Sequence, residues 1–335
     1  MCGVEWRRYR HASAARQVEA ALSRTAVHYD ADAVMTDLAR FESTAVELAR
    51  VAGERAVAAF KATLELEFKG PKQDSPVTVV DRDIETYLRT ELRRAFPEHG
   101  LLGEEHADDI AADADHVWVL DPVDGTANFA SGVPAWGISV GLLRDGVPVV
   151  GCIWVPIGPT LGPGAYHAHL GGGTHFDGQP VRVSRAMDER GQIMGLPGGY
   201  LRAFRFRRPP PGTPRAQRAL PDQRTLGSCT YELVEIASGG LRAGVFIKPS
   251  IWDVAAGVLL VQEAGGQVLT WRERGWQRFQ RFAPAAPDKG DGPPALRYWG
   301  QPLLVGAPDA LERLVARMAW HPRLPKQLRR LLGAG

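Results

Sequence analysis

Two acids at the end of an apolar run constrain this chain more than any other feature of its sequence. Asp121-Pro122-Val123-Asp124-Gly125-Thr126 follows directly on Val117-Trp118-Val119-Leu120. A short apolar run of this kind reads as a strand buried in a sheet, so both carboxylates leave from a strand end. Pro122 fixes one backbone angle and Gly125 permits a tight turn, which together can aim both acids and the Val123 carbonyl at one point. Gathered oxygens suit a hard cation. Magnesium takes oxygen ligands octahedrally and keeps waters and substrate phosphates in its shell, so few carboxylates suffice. A short helix beginning after Gly125 would also offer the N–H groups of Gly125 and Thr126 to an anion. Asp-Pro and Asp-Gly are common turn formers too, and a turn-capping role for Asp121 and Asp124 is the alternative.

Two further acids share the setting: Glu104 in Leu101-Leu102-Gly103-Glu104-Glu105, and Asp253 in Ile251-Trp252-Asp253-Val254-Ala255-Ala256-Gly257. Each closes an apolar approach at a turn or a helix start, and Asp253 can act as an N-cap while still ligating a metal.

Around these acids the pattern is mixed α and β. Leu38, Phe41, Ala45, Leu48, Ala52, Ala56, Ala59 and Thr63 recur at helical spacing, which predicts a helix over Thr36 to Phe68 with Thr36 as N-cap. The stretch Lys69 to Pro76 breaks it as a mobile loop, and a second helix is expected from about Asp81 to Phe96, stopped by Pro97. Strands are expected at Leu101-Leu102, Val117 to Leu120, Gly137 to Leu143 and Val147 to Val155, with Asp145-Gly146 as a hairpin turn. Gly158 to Gly173 and Pro209 to Gly227 read as surface loops or a linker, and Phe204 to Arg218, with its arginines among prolines, as a solvated linker, a substrate clamp being the alternative. Helices at Tyr231 to Ser238 and Asp253 to Ala264, the latter ended by Gly265-Gly266, flank a strand at Val245 to Ile247. At roughly 150 residues per domain, 335 residues suggest two domains. The expected division is a basic extension over 1–33, halves at 34–182 and 183–318 joined near Val181 to Ser184, and a basic tail over 319–335.

Composition removes other classes. An apolar fraction of 44% with 23% charged residues is ordinary for a folded globular chain. A formal charge of +2 gives no ground for nucleic-acid or membrane affinity, and no run approaches the ~18 apolar residues of a membrane span. Cytoplasm is the default location. Arg7, Arg8, Arg10, Arg16 and Arg24 raise an organellar transit peptide as an alternative, which Glu5 and Glu19 weaken. Cys2, Cys152 and Cys229 are odd in number and without metal-ligand spacing, so a disulfide framework is not expected. His99, His106, His116, His167, His169 and His175 fall in predicted loops and read as surface residues, while Trp136, Trp154 and Trp252 read as core.

Gly103-Glu104-Glu105, the run Asp121 to Phe129 (DPVDGTANF) and the run Trp252 to Gly257 (WDVAAG) resemble the signatures of the inositol monophosphatase family, in the family's order. Ser75 to Asp81 (SPVTVVD) and Glu263 to Gly266 (EAGG) resemble further family elements, and the likeness covers roughly Leu38 to Pro308. The resemblance implies a layered α/β/α/β/α sandwich and a Mg²⁺-dependent phosphate-monoester hydrolase that forms no covalent phospho-enzyme. By similarity, Glu104, Asp121 and the Val123 carbonyl hold a first metal, and Asp121, Asp124 and Asp253 a second. A third, weaker ion near Glu104, close to the attacking water, brings the number to two or three. Thr126, hydrogen-bonded to Asp81, is the implied pair that orients and deprotonates that water. Chemically the set is coherent, because phosphoryl transfer needs in-line positioning and neutralised charge, which paired metals supply without a histidine.

Substrate contacts are expected from Asp124, Gly125, Thr126, Gly227, Ser228, Cys229, Lys248 and Asp253. Gly227-Ser228-Cys229 matches the family's substrate-contacting stretch, with Cys229 a small wall residue. Where inositol-specific members carry a Glu, this chain has Phe246-Ile247-Lys248-Pro249-Ser250. Lys248 pointing inward would favour a substrate with a second anionic group; Lys248 facing solvent is the alternative. Glu105 reads as a supporting or solvated acid, and Lys69 and Lys72 as loop charges within reach of the phosphate or solvated. Histidinol-phosphate, fructose-1,6-bisphosphate and 3′-phosphoadenosine-nucleotide phosphatases share the metal motif, and a family-like binding protein without catalysis is a further alternative. The resemblance also implies a small phosphorylated metabolite as ligand, a homodimer and inhibition by lithium.

Overall fold

The computed structural model describes residues 31–66, 76–158, 162–184, 193–195, 204–206, 222–272, 275–287 and 295–320. Helix α1, Ala31–Leu66, buries Leu38, Phe41, Ala45, Leu48, Ala52 and Ala56, a single stripe at three- and four-residue steps. It starts before Thr36, which therefore lies inside the helix and is not its N-cap. Helix α2, Pro76–Ala95, begins about five residues earlier than expected, with a proline at its first position, where the missing N–H costs no hydrogen bond. Ile84, Leu88 and Leu92 form its buried stripe, and the acids Asp81 and Glu85 lie on that same stripe. The Lys69 to Ser75 stretch, with Lys69 and Lys72, lies outside the described residues.

Seven strands follow as one sheet in sequence order: β1 Gly100–Gly103, β2 His116–Asp124, β3 Gly137–Arg144, β4 Val147–Val155, β5 Gly164–His169, β6 His175–Phe176 and β7 Gln179–Pro180. Only β1 and β2 are parallel; the rest pair antiparallel. Asp145 and Gly146 turn β3 into β4 with φ of 50° and 78°, the double positive φ that a two-residue hairpin demands. β5 corrects the expectation of a loop over Gly158 to Gly173. Its short run, Gly-Ala-Tyr-His-Ala-His between glycine-rich flanks, carries little apolar signal, and pairing with β4 decides it. A short helix α3, Thr126–Ala130, leaves the end of β2.

A second sheet combines β8 Ile193–Gly195, β10 Asp222–Arg224, β11 Ala243–Phe246, β12 Gln267–Arg272, β13 Gly275–Arg278 and β14 Leu303–Gly306, in the order β10-β8-β11-β14-β12-β13. β9 Phe204–Phe206 pairs with β15 Met318–Trp320 as a separate ribbon. These strands correct two readings, since Phe204 to Phe206 is strand, not linker, and β15 occupies the start of the expected tail. β10 lies within the expected loop Pro209 to Gly227; the arginines from Arg207 to Arg218 lie outside the described residues. Helices α4 Cys229–Ala237 and α5 Ile251–Glu263 pack on each other and between the sheets, and α6 Pro308–Arg317 packs on β14. The order is helix, sheet, helix, sheet, helix, the layered sandwich expected.

Strand β2 shows why its sequence reads as unbroken apolar. Trp118 and Leu120 face the core under α1 and α2, whereas Val117 and Val119 face the core shared with α5. On the α5 side the approach is close: a Cβ added at Gly151 of β4 would lie 2.5 Å from the Ala256 carbonyl oxygen. That contact seats α5, and with it Asp253, against the sheet that carries Asp121. Among the described residues no helix is long and apolar enough to cross a membrane.

Candidate metal centre

In a regular strand, residues three apart point to opposite faces. Between β2 and β3, Asp121 pairs with Ser139 but Asp124 with Gly137, so β2 has one extra residue there, a bulge at Pro122-Val123. The bulge returns Asp124 to the side of Asp121. Gly125 follows at φ 93°, where a Cβ would come within 2.9 Å of the Ser228 Cβ, and the chain enters α3.

Helix α4 fixes Asp124. Its carboxylate Oδ2 accepts from Ser228 Oγ at 2.7 Å and from the Thr230 N–H at 2.6 Å, while Ser228 Oγ itself accepts the Tyr231 N–H at 3.1 Å. A carboxylate at the N-terminal turn of a helix is well placed for its unpaired N–H groups. Asn128 Nδ2 ties the same region by donating to the carbonyls of Ala135 and Leu226, at 2.7 and 2.6 Å.

Helix α5 brings the third acid. Ser250 is its N-cap, and Asp253, at the third helical position, accepts the Ser250 N–H at 2.9 Å in a capping box. This corrects the assignment of Asp253 as N-cap. Ser139, the partner of Asp121 across β3, donates its hydroxyl to the Trp252 carbonyl at 3.2 Å. One residue of β3 thus links the strand position of Asp121 to the helix start bearing Asp253.

Asp121, Asp124 and Asp253 each place an oxygen within 4.8 Å of the others. Asp121 is 1% exposed, and its Oδ1 is buried without a hydrogen-bond partner. Burial drives its pKa well above the ordinary aspartate value, reinforced by the charges of Asp124, Glu104, Asp253 and Asp81. Asp253 is pushed up to about 8, by burial and then by Asp124. Buried carboxylates crowded together with an orphaned oxygen are costly by themselves. A divalent cation removes that cost, and an all-oxygen donor set is what Mg²⁺ takes. The residues fit the ion.

Glu104 stands outside this trio, on the exposed turn after β1, yet desolvation, followed by the charges of Glu105, Asp124 and Glu85, raises it to about 7. Asp81 is 6% exposed, with Oδ1 unpartnered, and burial followed by Glu105 and Glu104 raises it to about 7. The expected Thr126 to Asp81 hydrogen bond is absent. Thr126 Oγ1 donates instead to the Val123 carbonyl, at 3.3 Å, because the turn into α3 folds its hydroxyl back on the bulge. Gly227, at φ 83°, and Ser228 lie beside this turn, and Cys229 opens α4 with its thiol pKa raised well above the ordinary value by burial and neighbouring acids, the reverse of an activated nucleophile. Lys248 is exposed, at φ 52°.

Sequence reasoning missed Ser139, Thr230, Glu232 and Glu85. Glu232, 4% exposed, accepts the Leu226 N–H at 2.9 Å and so supports the Gly227 turn. The Ser250-x-x-Asp253 spacing was the one legible hint of a capping box. The six histidines are half-buried, not surface residues: His167 and His169 lie on β5 and reach Glu42, and His99 stacks on His116 at 4.8 Å. Trp136 and Trp154 are core residues, whereas Trp252 is only partly buried.

Residues 37–301 match the model of the inositol monophosphatase family. An inositol-1-monophosphatase of Mycobacterium bovis is 35% identical over 227 residues, covering 64% of this chain and 76% of that protein. A histidinol-phosphatase of Chlorobaculum parvum is 34% identical over 233 residues, covering 69% and 85%. Among solved structures, Mycobacterium tuberculosis SuhB superposes with a TM-score of 0.56 at 27% identity, covering 89% of this chain and 98% of that one. The chain belongs to the inositol monophosphatase family and is a phosphatase, a phosphoric monoester hydrolase of that type.

Proposed function

We propose that this chain is a Mg²⁺-dependent hydrolase of a small phosphorylated metabolite in which water attacks phosphorus directly. The convergence of Asp121, Asp124 and Asp253, with the Asp121 Oδ1 buried and unpaired, carries the reading. Asp121, Asp124 and Asp253 would hold one ion, and Glu104, Asp121 and the Val123 carbonyl another, in a set of two or three. When bound, Mg²⁺ supplies neutralisation of phosphate charge and acidification of water. Asp81, on the buried face of α2, is the group assigned to receive the water's proton, and Thr126 holds the turn at the base of α3. Ser228 and Thr230 keep Asp124 oriented, and Gly125, Gly227, Ser228, Cys229 and Lys248 border the substrate. No nucleophilic side chain is required, which agrees with the raised thiol of Cys229.

Similarity to inositol monophosphatases favours an inositol-type monophosphate, while the histidinol-phosphatase relative and a Thermotoga maritima fructose-1,6-bisphosphatase/inositol-1-monophosphatase keep those substrates as the second reading. Lys248 stands where an acid was expected but is exposed, the outward orientation, so it lends a doubly anionic substrate no added support. A cytoplasmic homodimer with halves at 34–182 and 183–318 and lithium sensitivity completes the proposal, sedimentation at micromolar concentration testing the dimer. Phosphate release measured over a panel of monoesters, with Mg²⁺ and with chelator, tests the function. Turnover of at least one monoester that vanishes on chelation is expected; chelator-resistant turnover would overturn the reading.

A further inference from the structure

Glu104 is the one proposed ligand that no strand or helix holds, since it sits on the turn that leaves β1. The backbone on both sides of it is nevertheless fixed by charged side chains. The Gly103 carbonyl accepts from Arg297 Nη2 at 2.9 Å, and the Glu105 N–H donates to Glu85 Oε2 at 2.8 Å. Glu85 is fully buried, its other oxygen lying 3.3 Å from Arg89 and 3.2 Å from His106. It lies so close under the turn that a Cβ on Gly103 would meet Oε1 at 2.1 Å. Arg297 comes from 194 residues further along the chain, in the short 3-10 turn Leu296–Tyr298. Its guanidinium also pairs with Asp108 at 3.4 Å and stands over the Trp252 ring, 5.7 Å from its centroid. Trp252 precedes Asp253, so Arg297 touches both the turn that presents Glu104 and the helix start that presents Asp253.

We propose that Arg297 is a positioning residue that sets the place of Glu104 relative to Asp253 and thereby the affinity of the centre for its divalent ions, with Glu85 as its counterpart beneath the turn. The proposal rests on the metal-centre reading above. A planar guanidinium can donate to a carbonyl and a carboxylate while one face lies against an indole, which an ammonium cannot do. Groups that orient ligands without touching the metal typically change metal affinity 10- to 100-fold when removed.

The test is a direct binding titration of the metal-free protein with Mn²⁺, following free Mn²⁺ by electron paramagnetic resonance, alongside the Mg²⁺ dependence of turnover. Arg297→Ala is expected to weaken Mn²⁺ binding about tenfold or more. It should also raise the Mg²⁺ concentration for half-maximal rate, with the substrate KM at saturating Mg²⁺ little changed. Arg297→Lys should recover part of the affinity, and Glu85→Gln, which keeps an acceptor for the Glu105 N–H, should retain more than Glu85→Ala. Circular dichroism and Tm identify any variant that misfolds, and Arg297→Gln then replaces it. Wild-type Mn²⁺ affinity in folded Arg297→Ala overturns the positioning role. Absence of Mn²⁺ binding by the wild type would instead overturn the metal-centre reading itself.

Discussion

At the scale of single residues, the division of labour at Asp124 is the most testable feature of the centre. Its Oδ2 is saturated by Ser228 and the Thr230 N–H, so the side chain is held whether or not a cation is present. Asp124→Asn preserves volume but replaces a negative oxygen donor by a neutral amide, whose N–H₂ group clashes with the donors of α4 or faces the cation. Turnover should fall by about three orders of magnitude or more, as when a charge directly at the reacting centre is lost. Ser228→Ala removes one hydrogen bond and leaves the Thr230 N–H in place, so a loss of about tenfold is expected, near 1.4 kcal/mol. Steady-state rates for the two variants check the ordering; equal losses would mean that Ser228 does more for turnover than orient Asp124. Asp121 and Asp124 were legible because a buried strand ended in acids with a turn former between them. Glu85 and Arg297 were not. Glu85 lies in a helical stripe whose only signal is an acid four residues after Asp81 where an apolar residue is the norm, and Arg297 acts on a carbonyl 194 residues away.

At the scale of elements, α1 is joined to the first sheet by both shape and charge. Gly53 of α1 admits the Trp154 indole, which a Cβ would meet at 2.3 Å. Nearer the start of the helix, Glu42 accepts from Nδ1 of His167 at 2.6 Å and of His169 at 2.5 Å, two residues on one face of β5. Burial by itself would raise the Glu42 pKa, but the hydrogen bonds and charges of the two histidines outweigh it and hold the carboxyl at about 2. The folded pKa is therefore below the ordinary value of 4.5, so Glu42 contributes stability above pH 4.5 that is lost as the pH falls toward 2. Glu42→Gln should cost about 1–3 kcal/mol at neutral pH. Its deficit against the wild type should narrow between pH 4.5 and 2, as read by denaturant unfolding at a series of pH values. A deficit that stays constant over that range would assign the cost to packing alone. The pairing also explains why β5 escaped sequence reading: His167 and His169 have their partner 125 and 127 residues away, and local periodicity carries no trace of it. The hairpin at Asp145-Gly146, by contrast, is a local matter of positive φ, and it was legible for that reason.

At the scale of the whole molecule, the centre draws Asp121 and Asp124 from the first sheet and Asp253 from a helix packed between both sheets, so an ion held by all three would couple its binding to folding. Without metal, the cluster keeps protons that the unfolded chain gives up near pH 4, because burial and mutual repulsion raise Asp121 well above its ordinary value and Asp253 to about 8. A raised folded pKa means that the folded state binds more protons than the unfolded one, so the contribution to stability falls as pH climbs from about 4 to about 8. In chelator, the wild type should accordingly lose Tm over that interval. Mg²⁺ at a hundred times its dissociation constant adds about 2.7 kcal/mol, or roughly 5 °C at about 2 °C per kcal/mol for a chain of this size. Asp121→Asn replaces the most buried acid by a neutral group of the same shape, removing repulsion together with a ligand. It should match or exceed the wild-type Tm in chelator at pH 8 and fall below it in saturating Mg²⁺, so that the two melting series cross as metal is added. Thermal melts of both proteins across a Mg²⁺ titration decide the matter, since an Asp121→Asn variant that is less stable by the same amount with and without metal would make Asp121 a structural residue and not a ligand.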